Sequence, residues 1–157
     1  MRILVISDTH GRQSVIEKAI EAQKEARHIF FLGDCLSDIE DLQYIYTDRI
    51  FHTVCGNCDY GSMQKAADLA VINGVKILFT HGHAYSVKGG LTRLKERALA
   101  EGATLALYGH THVANIQYED GVYFVNPGSP TCPREGRPSY AVVDIVDEGI
   151  MPVIINC

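Results

Sequence analysis

Apolar segments rich in β-branched and aromatic residues alternate with helical periodicities through the first two thirds of the chain. Arg2 to Ser7 (RILVIS) is a short continuous apolar run, the pattern of a buried strand. From Ser14 to Arg27, apolar Val15, Ile16, Ala19, Ile20 and Ala26 recur at helical spacing, and Ser14 and Glu17 stand at capping-box spacing. His28 to Leu32 (HIFFL) predicts a second strand, and Ser37 to Tyr46 a second helix with Ile39, Leu42, Ile45 and Tyr46 on its apolar face. Ser37 and Glu40 repeat the capping-box spacing, and Ile50 to Cys55 predicts a third strand.

Leu69 to Ile72 and Val75 to Thr80 predict a hairpin, because Asn73-Gly74 between them is the dipeptide most favoured in two-residue turns. A helix over Gly90 to Glu101, with Leu91, Leu94, Ala98 and Leu99 on one face, leads to a strand at Thr104 to Tyr108. The remainder reads as short strands between turns: Val113 to Tyr118, Val122 to Val125, Tyr140 to Val146 and Met151 to Ile155. Helices early and strands late predict an α/β chain with two sheets packed face to face and helices outside, rather than one doubly wound sheet. No repeat, low-complexity tract or Pro/Gly/Ser-rich linker interrupts residues 1–157, so a single domain is expected.

Composition narrows the functional classes. With 14 Lys+Arg against 19 Asp+Glu the chain carries a formal charge of −5, which predicts no strong nucleic-acid surface and no attraction to an anionic membrane. The opening apolar run, Ile3 to Ile6, is shorter than the roughly 7–15 residues of a signal-peptide core. No run approaches the roughly 18 residues that span a bilayer. The five cysteines are an odd number, which predicts reduced thiols and a cytoplasmic setting rather than a disulfide framework.

The chemistry lies just past the strands. Asp8 and His10 follow the first, Gly33-Asp34 the second, Gly56-Asn57 the third, His81-Gly82-His83 the Val75 strand, and Gly109-His110-Thr111-His112 the Leu105 strand. Ligands bind at the carboxyl ends of strands in open α/β sheets, so five separate clusters are expected to converge. The i, i+2 spacing of Asp8 with His10 and of His110 with His112 would put each pair on one side of an extended backbone. Carboxylates, imidazoles and an amide oxygen suit divalent ions such as Mn²⁺, Fe²⁺, Zn²⁺ or Ni²⁺, and no clustered cysteine set indicates a structural zinc site. Six or seven ligands are too many for one catalytic ion and suit two that share a carboxylate.

The ordered set Asp8-x-His10, Gly33-Asp34, Gly56-Asn57, His81 and Gly109-His110-x-His112 resembles the calcineurin-like metallophosphoesterases. Asn57-Cys58-Asp59, Thr80-His81-Gly82-His83 and Asn126-Pro127-Gly128-Ser129 resemble the small bacterial and archaeal phosphodiesterase branch of that superfamily. The resemblance implies a four-layer αββα sandwich of two mixed sheets flanked by helices. It implies one ion on Asp8, His10 and His112, a second on Asn57, His81 and His110, and Asp34 bridging them. It also implies hydrolysis of a small phosphodiester by a hydroxide between two divalent ions, with Mn²⁺ first among candidates and Ni²⁺, Zn²⁺, Fe²⁺ or Mg²⁺ as alternatives. Asp34, Asn57, His81 and Cys58 are the candidate catalytic residues.

Cys58 departs from the family, many of whose members have His there to protonate the leaving group. A thiol of pKa about 8.5 is a poorer donor and phosphate partner than an imidazolium, so phosphodiesters with good leaving groups are the expected substrates. Cys55-Gly56-Asn57-Cys58 also reads as a C-x-x-C redox pair, but it follows a strand and would leave the paired histidines unexplained. His28 and His52 lack motif context and read as structural, whereas His83 could orient substrate or a ligand. Arg12, Arg134 and Arg137 suit phosphate contacts or a solvated surface equally. The alternatives are a phosphomonoesterase of the same family and a non-catalytic protein-interaction scaffold, as in the small retromer subunit. A homo-oligomer is compatible with the apolar strands.

Overall fold

The computed structural model describes residues 1–157 as fifteen elements in two five-stranded sheets and their connections. Strands β1 (Arg2–Ile6), β2 (Ala26–Phe31) and β3 (Ile50–Thr53) alternate with helices α1 (Gln13–Ala22) and α2 (Ser37–Ile45). The hairpin β4 (Ala67–Ile72) and β5 (Val75–Thr80) follows, then two 3₁₀ turns at His83–Tyr85 and Val87–Gly89. Helix α3 (Thr92–Glu101), β6 (Leu105–Leu107), β7 (Ala114–Glu119), β8 (Val122–Pro127), β9 (Ser139–Val146) and β10 (Gly149–Asn156) complete the chain.

One sheet has the order β10-β9-β1-β2-β3 and the other β4-β5-β6-β8-β7. Each is built on a parallel triplet, β1/β2/β3 or β5/β6/β8, extended by antiparallel strands. Both sheets are therefore mixed, and each triplet offers three carboxyl ends on one edge.

Alternation along β1 shows why its sequence is continuously apolar. Ile3 and Val5 point between the sheets, where they pack with Phe30, Leu107 and Val125, among others. Leu4 and Ile6 point the other way, onto α1 and α2 through Ile16, Ile20, Ile39 and Leu42. A third cluster joins α3, through Leu94 and Ala98, to Leu78, Ala106 and Phe124 on the outer face of the second sheet. Three cores between four layers give the expected αββα arrangement. Each fully buried Leu, Ile or Phe contributes roughly 1.5–3 kcal/mol against conformational entropy. No helix is long and apolar enough to cross a membrane.

Two expectations about helix ends are corrected. Helix α1 stops at Ala22, five residues before the expected Arg27, because the Gln23 amide closes on the Ala19 and Ile20 carbonyls and buried Ala26 already pairs with Arg2 as the first residue of β2. Neither Ser14 nor Ser37 caps its helix. Carboxylates from elsewhere do so instead. Asp38 Oδ2 accepts the amides of Gly11 (2.9 Å) and Arg12 (3.1 Å) ahead of α1. Asp59 accepts those of Cys35 (2.9 Å) and Leu36 (2.8 Å) ahead of α2. A charged acceptor on a helix's amino-terminal amides is worth more than a hydroxyl, which is why the local serines are bypassed.

Candidate metal centre

The carboxyl ends of β1, β2, β3, β5 and β6 lead into the five clusters, and the structure brings all seven candidate ligands together. Asp8, His10, Asp34 and His112 each supply a ligand atom, all within 4.8 Å of one another. His81 Nε2 lies 3.1 Å from Asn57 Oδ1, 3.2 Å from His110 Nδ1 and 3.5 Å from Asp34 Oδ1. Asp34 therefore reaches both groups, and so does Asp8, whose Oδ1 lies 3.9 Å from His81 Nε2.

The two pairs do not converge through extended backbone, as their spacing suggested. Asp8 (φ 58°), His10 (φ 47°), His110 (φ 68°) and His112 (φ 58°) all adopt left-handed conformations, as does Asp34 (φ 60°). Such residues are uncommon outside glycine and concentrate where surrounding structure over-determines them. That bracing is visible here. The Asp59 carboxylate accepts four amides, from Asp34, Cys35, Leu36 and Gly56, and so ties the β2 and β3 loops together. Gly33 and Gly56 approach so closely that a Cβ on Gly33 would overlap the Gly56 backbone, and one on Gly56 would overlap Asp34. Ser129 Oγ donates to the Asp8 carbonyl (2.8 Å), and Asn126 Nδ2 to the Gly109 carbonyl (3.0 Å), so the Asn126-Pro127-Gly128-Ser129 segment fastens two ligand loops.

Tautomers follow from carbonyl partners. His81 Nδ1 faces the Leu32 carbonyl at 2.8 Å and His112 Nδ1 faces the Cys132 carbonyl at 2.8 Å. A carbonyl only accepts, so each Nδ1 carries hydrogen and each neutral ring turns an Nε2 lone pair inward. Those lone pairs meet other acceptors: His112 Nε2 lies 3.3 Å from Asp8 Oδ1 and 3.2 Å from His10 Nε2. Asp8 Oδ1 is fully buried and accepts no hydrogen bond. Ring nitrogens and carboxylate oxygens converging on one spot, with buried Asp8 Oδ1 lacking a hydrogen-bond donor, fit a cation. The donor set of carboxylate oxygen, imidazole nitrogen and amide oxygen suits divalent metals.

Burial opposes the charged form of Asp8, yet the His112 and His81 rings and the Ser7 hydroxyl outweigh it and hold the carboxyl below its ordinary range. Burial, with His81 and Lys88 nearby, lowers His110 to about 4, which keeps the imidazole neutral. Asp8 raises His112 against the effect of burial.

The exposed Cys58 sits at the rim. Its amide donates to Asp34 Oδ1 (2.9 Å), and burial followed by Asp34 pushes its thiol up to about 11. Cys55 donates to the Gln64 carbonyl, all five cysteines are free, and the C-x-x-C runs from a strand end rather than opening a helix. His83 stands beside the cluster, its ring 5.4 Å from His81 and 6.2 Å from His110, with Nδ1 buried and unpartnered. His28 and His52 pair with each other at 2.9 Å, and His52 stacks on Phe30, as structural residues do. Arg12, Arg134 and Arg137 are exposed. Sequence reasoning missed Asp38 entirely, since nothing marks a carboxylate that caps another helix. Asp59 was visible only as the third member of Asn57-Cys58-Asp59.

Residues 1–148 match the family model for the calcineurin-like phosphoesterase superfamily domain. The chain is 32% identical over 150 residues to a probable metallophosphoesterase of Bacillus subtilis, YsnB, covering 94% of this chain and 86% of that one. It is 26% identical to the phosphodiesterase YfcE of Escherichia coli, covering 92% and 88%. It is also 28% identical to vacuolar protein sorting-associated protein 29 of Schizosaccharomyces pombe, covering 99% and 83%. A predicted phosphoesterase from Streptococcus pneumoniae superposes with a TM-score of 0.86 at 28% identity, over 99% of this chain and 88% of that one. With its αββα fold and its strand-end histidines and aspartates, the chain belongs to the calcineurin-like phosphoesterase superfamily.

Proposed function

We propose that this chain is a phosphodiesterase that works with two divalent metal ions, Mn²⁺ first among them. Asp8, His10 and His112 would hold one, Asn57, His81 and His110 the other, and Asp34 both. The reading rests above all on the inward lone pairs of His81 and His112 facing the unpartnered Asp8 Oδ1, Asn57 Oδ1 and Asp34. Two ions held by these residues would supply water of lowered pKa, from about 15.7 toward about 7, and charge to neutralise phosphoryl oxygens.

The protein's own part is positioning. The Leu32 and Cys132 carbonyls fix two imidazoles in one tautomer and orientation, the Cys58 amide holds Asp34, and Asp59 locks the loops carrying Asp34 and Asn57. Where an imidazolium would donate a proton to a departing alkoxide, Cys58 offers a weak acid. Esters whose leaving groups need no proton, such as bis-p-nitrophenyl phosphate, are therefore favoured over alkyl monoesters. The name of the Escherichia coli relative, a phosphodiesterase, supports the same substrate class. The free thiols accord with a cytoplasmic enzyme, and the three cores with one metallophosphoesterase domain over residues 1–157.

The likeness to vacuolar protein sorting-associated protein 29 carries a second reading, a protein-interaction scaffold. A complete ligand set favours the enzyme. Metal analysis of the purified chain together with hydrolysis of bis-p-nitrophenyl phosphate in Mn²⁺ separates the two. Bound metal with turnover is expected; no metal and no turnover would leave the scaffold.

A further inference from the structure

A groove of about 790 Å³ runs beside the metal centre, between α2 and residues 58–64, over Thr53 at the end of β3. Its size lies within the roughly 300–1,000 Å³ of small-molecule sites. We infer that this groove seats one ester arm of the substrate, and that the arm is an uncharged aromatic alcohol with hydrogen-bonding edges, in chemical terms a nucleoside. The inference rests on the phosphodiesterase reading and adds a substrate class to it.

Continuity with the centre comes from the chain itself. Cys35 and Cys58 line the groove, and each directly follows a candidate ligand, Asp34 and Asn57. The groove's near wall thus stands one residue from two of the proposed ligands, within reach of one arm of a phosphodiester held there.

Charge excludes one kind of arm. No Lys or Arg lines the groove, Glu40 is exposed on its α2 wall, and the Asp59 carboxylate is already taken by four amides. A second phosphate or a carboxylate there would face Glu40 with no cation to neutralise it. Apolar chemistry favours another kind. Met63 and Tyr60 are the two most exposed large hydrophobic residues of the chain, at 101% and 91%, and both line this one groove. A phenol ring and a thioether, with Leu36 in the same lining, offer surfaces to a flat aromatic face. The Gln43 and Gln64 amides each carry donors and an acceptor, which is what the edge of a nucleobase requires.

The test compares two substrates with one leaving group, thymidine 5′-(p-nitrophenyl phosphate) and methyl p-nitrophenyl phosphate, on the Mn²⁺-loaded chain. The nucleoside ester is expected to show a KM lower by about tenfold or more, equivalent to roughly 1.4 kcal/mol of added binding. Ser62→Trp, which fills the groove, should abolish that difference and leave the methyl ester's kinetics unchanged. Independently of turnover, thymidine titrated into the chain should shift the Met63 methyl resonance and leave those of Met1 and Met151 in place. Equal KM values with an unmoved Met63 would overturn the groove's assignment, as would a nucleoside preference that survives Ser62→Trp. If neither ester is hydrolysed, the phosphodiesterase reading fails, and the Met63 titration alone decides whether the groove takes a nucleoside.

Discussion

The bodies of the strands and their carboxyl ends obey opposite rules within a few residues of one another. In the body of β1, Ile3, Leu4 and Val5 are wholly buried, alternate cleanly between two cores and complete their hydrogen bonding in the ladder. Just past it, Asp8 is equally buried but left-handed, charged and short of a hydrogen-bond partner. Of nine non-glycine residues with positive φ, six lie at these ends: Asp8, His10, Asp34, Cys35, His110 and His112. Buried polar groups such as Thr9, Asp34, His81, Asn126 and Ser129 gather there too. The lesson is a division of labour. Regular apolar strands supply the stability that lets their ends remain strained and polar, which is the condition for holding metal.

Substitutions in the two regions should therefore fail differently. Asp34→Asn, at an end, is expected to cut Mn²⁺-dependent hydrolysis by more than the roughly 10–100-fold typical of an outer partner of a metal ligand, and to weaken both ions together. The melting temperature of its metal-free form should stay level or rise. In the body, Phe30→Ala removes a ring packed on His52 and Phe79 and should cost about 3–5 kcal/mol by denaturant unfolding, with metal stoichiometry retained in the folded fraction. A metal-free Asp34→Asn chain as unstable as Phe30→Ala would erase the distinction.

Asp59→Ala sits on the boundary, since its carboxylate closes two helix and loop ends without touching a ligand side chain. Metal affinity should fall about 10–100-fold, readable by isothermal titration, with a smaller loss of melting temperature. Cys58→His should raise turnover of esters with poor leaving groups by about 10²-fold, near the lower end of general-acid contributions, and change bis-p-nitrophenyl phosphate little. An unaltered ranking of leaving groups would remove the role assigned to Cys58.

The smallest effect concerns a histidine in the body. Burial first, and His28 second, push His52 down to about 4 from an ordinary 6.5. The unfolded imidazole binds more protons between those values, so the contribution is complete above about pH 6.5 and is lost as pH falls toward 4. His52→Phe should therefore shrink the drop in melting temperature between pH 7 and pH 5 by a few degrees, roughly, measured on the metal-free chain.

The same division explains what could be read from the residues alone. The strand bodies were recognisable because apolar patterning is local: β1, β2, β5 and the Asn73-Gly74 hairpin lie within two residues of their expected places. The site residues were recognisable as types, since carboxylates and histidines after strands have few other reasons to recur. Their geometry was not, because the left-handed backbones of Asp8 and His112 are held by distant partners, the Ser129 hydroxyl and the Arg134 amide on their carbonyls. The caps of α1 and α2 were misassigned for the same reason: Asp38 and Asp59 act across the fold, and Ser14 and Ser37 look locally sufficient.

The central proposal, a pair of ions sharing Asp34, is tested most directly by anomalous diffraction from crystals grown with Mn²⁺. Two peaks per chain are expected, about 3.5–4 Å apart, one among Asp8, His10 and His112 and the other among Asn57, His81 and His110, with Asp34 between them. A single peak confined to Asp8, His10, Asp34 and His112 at saturating Mn²⁺, with Asn57 and His110 turned away, would contradict it.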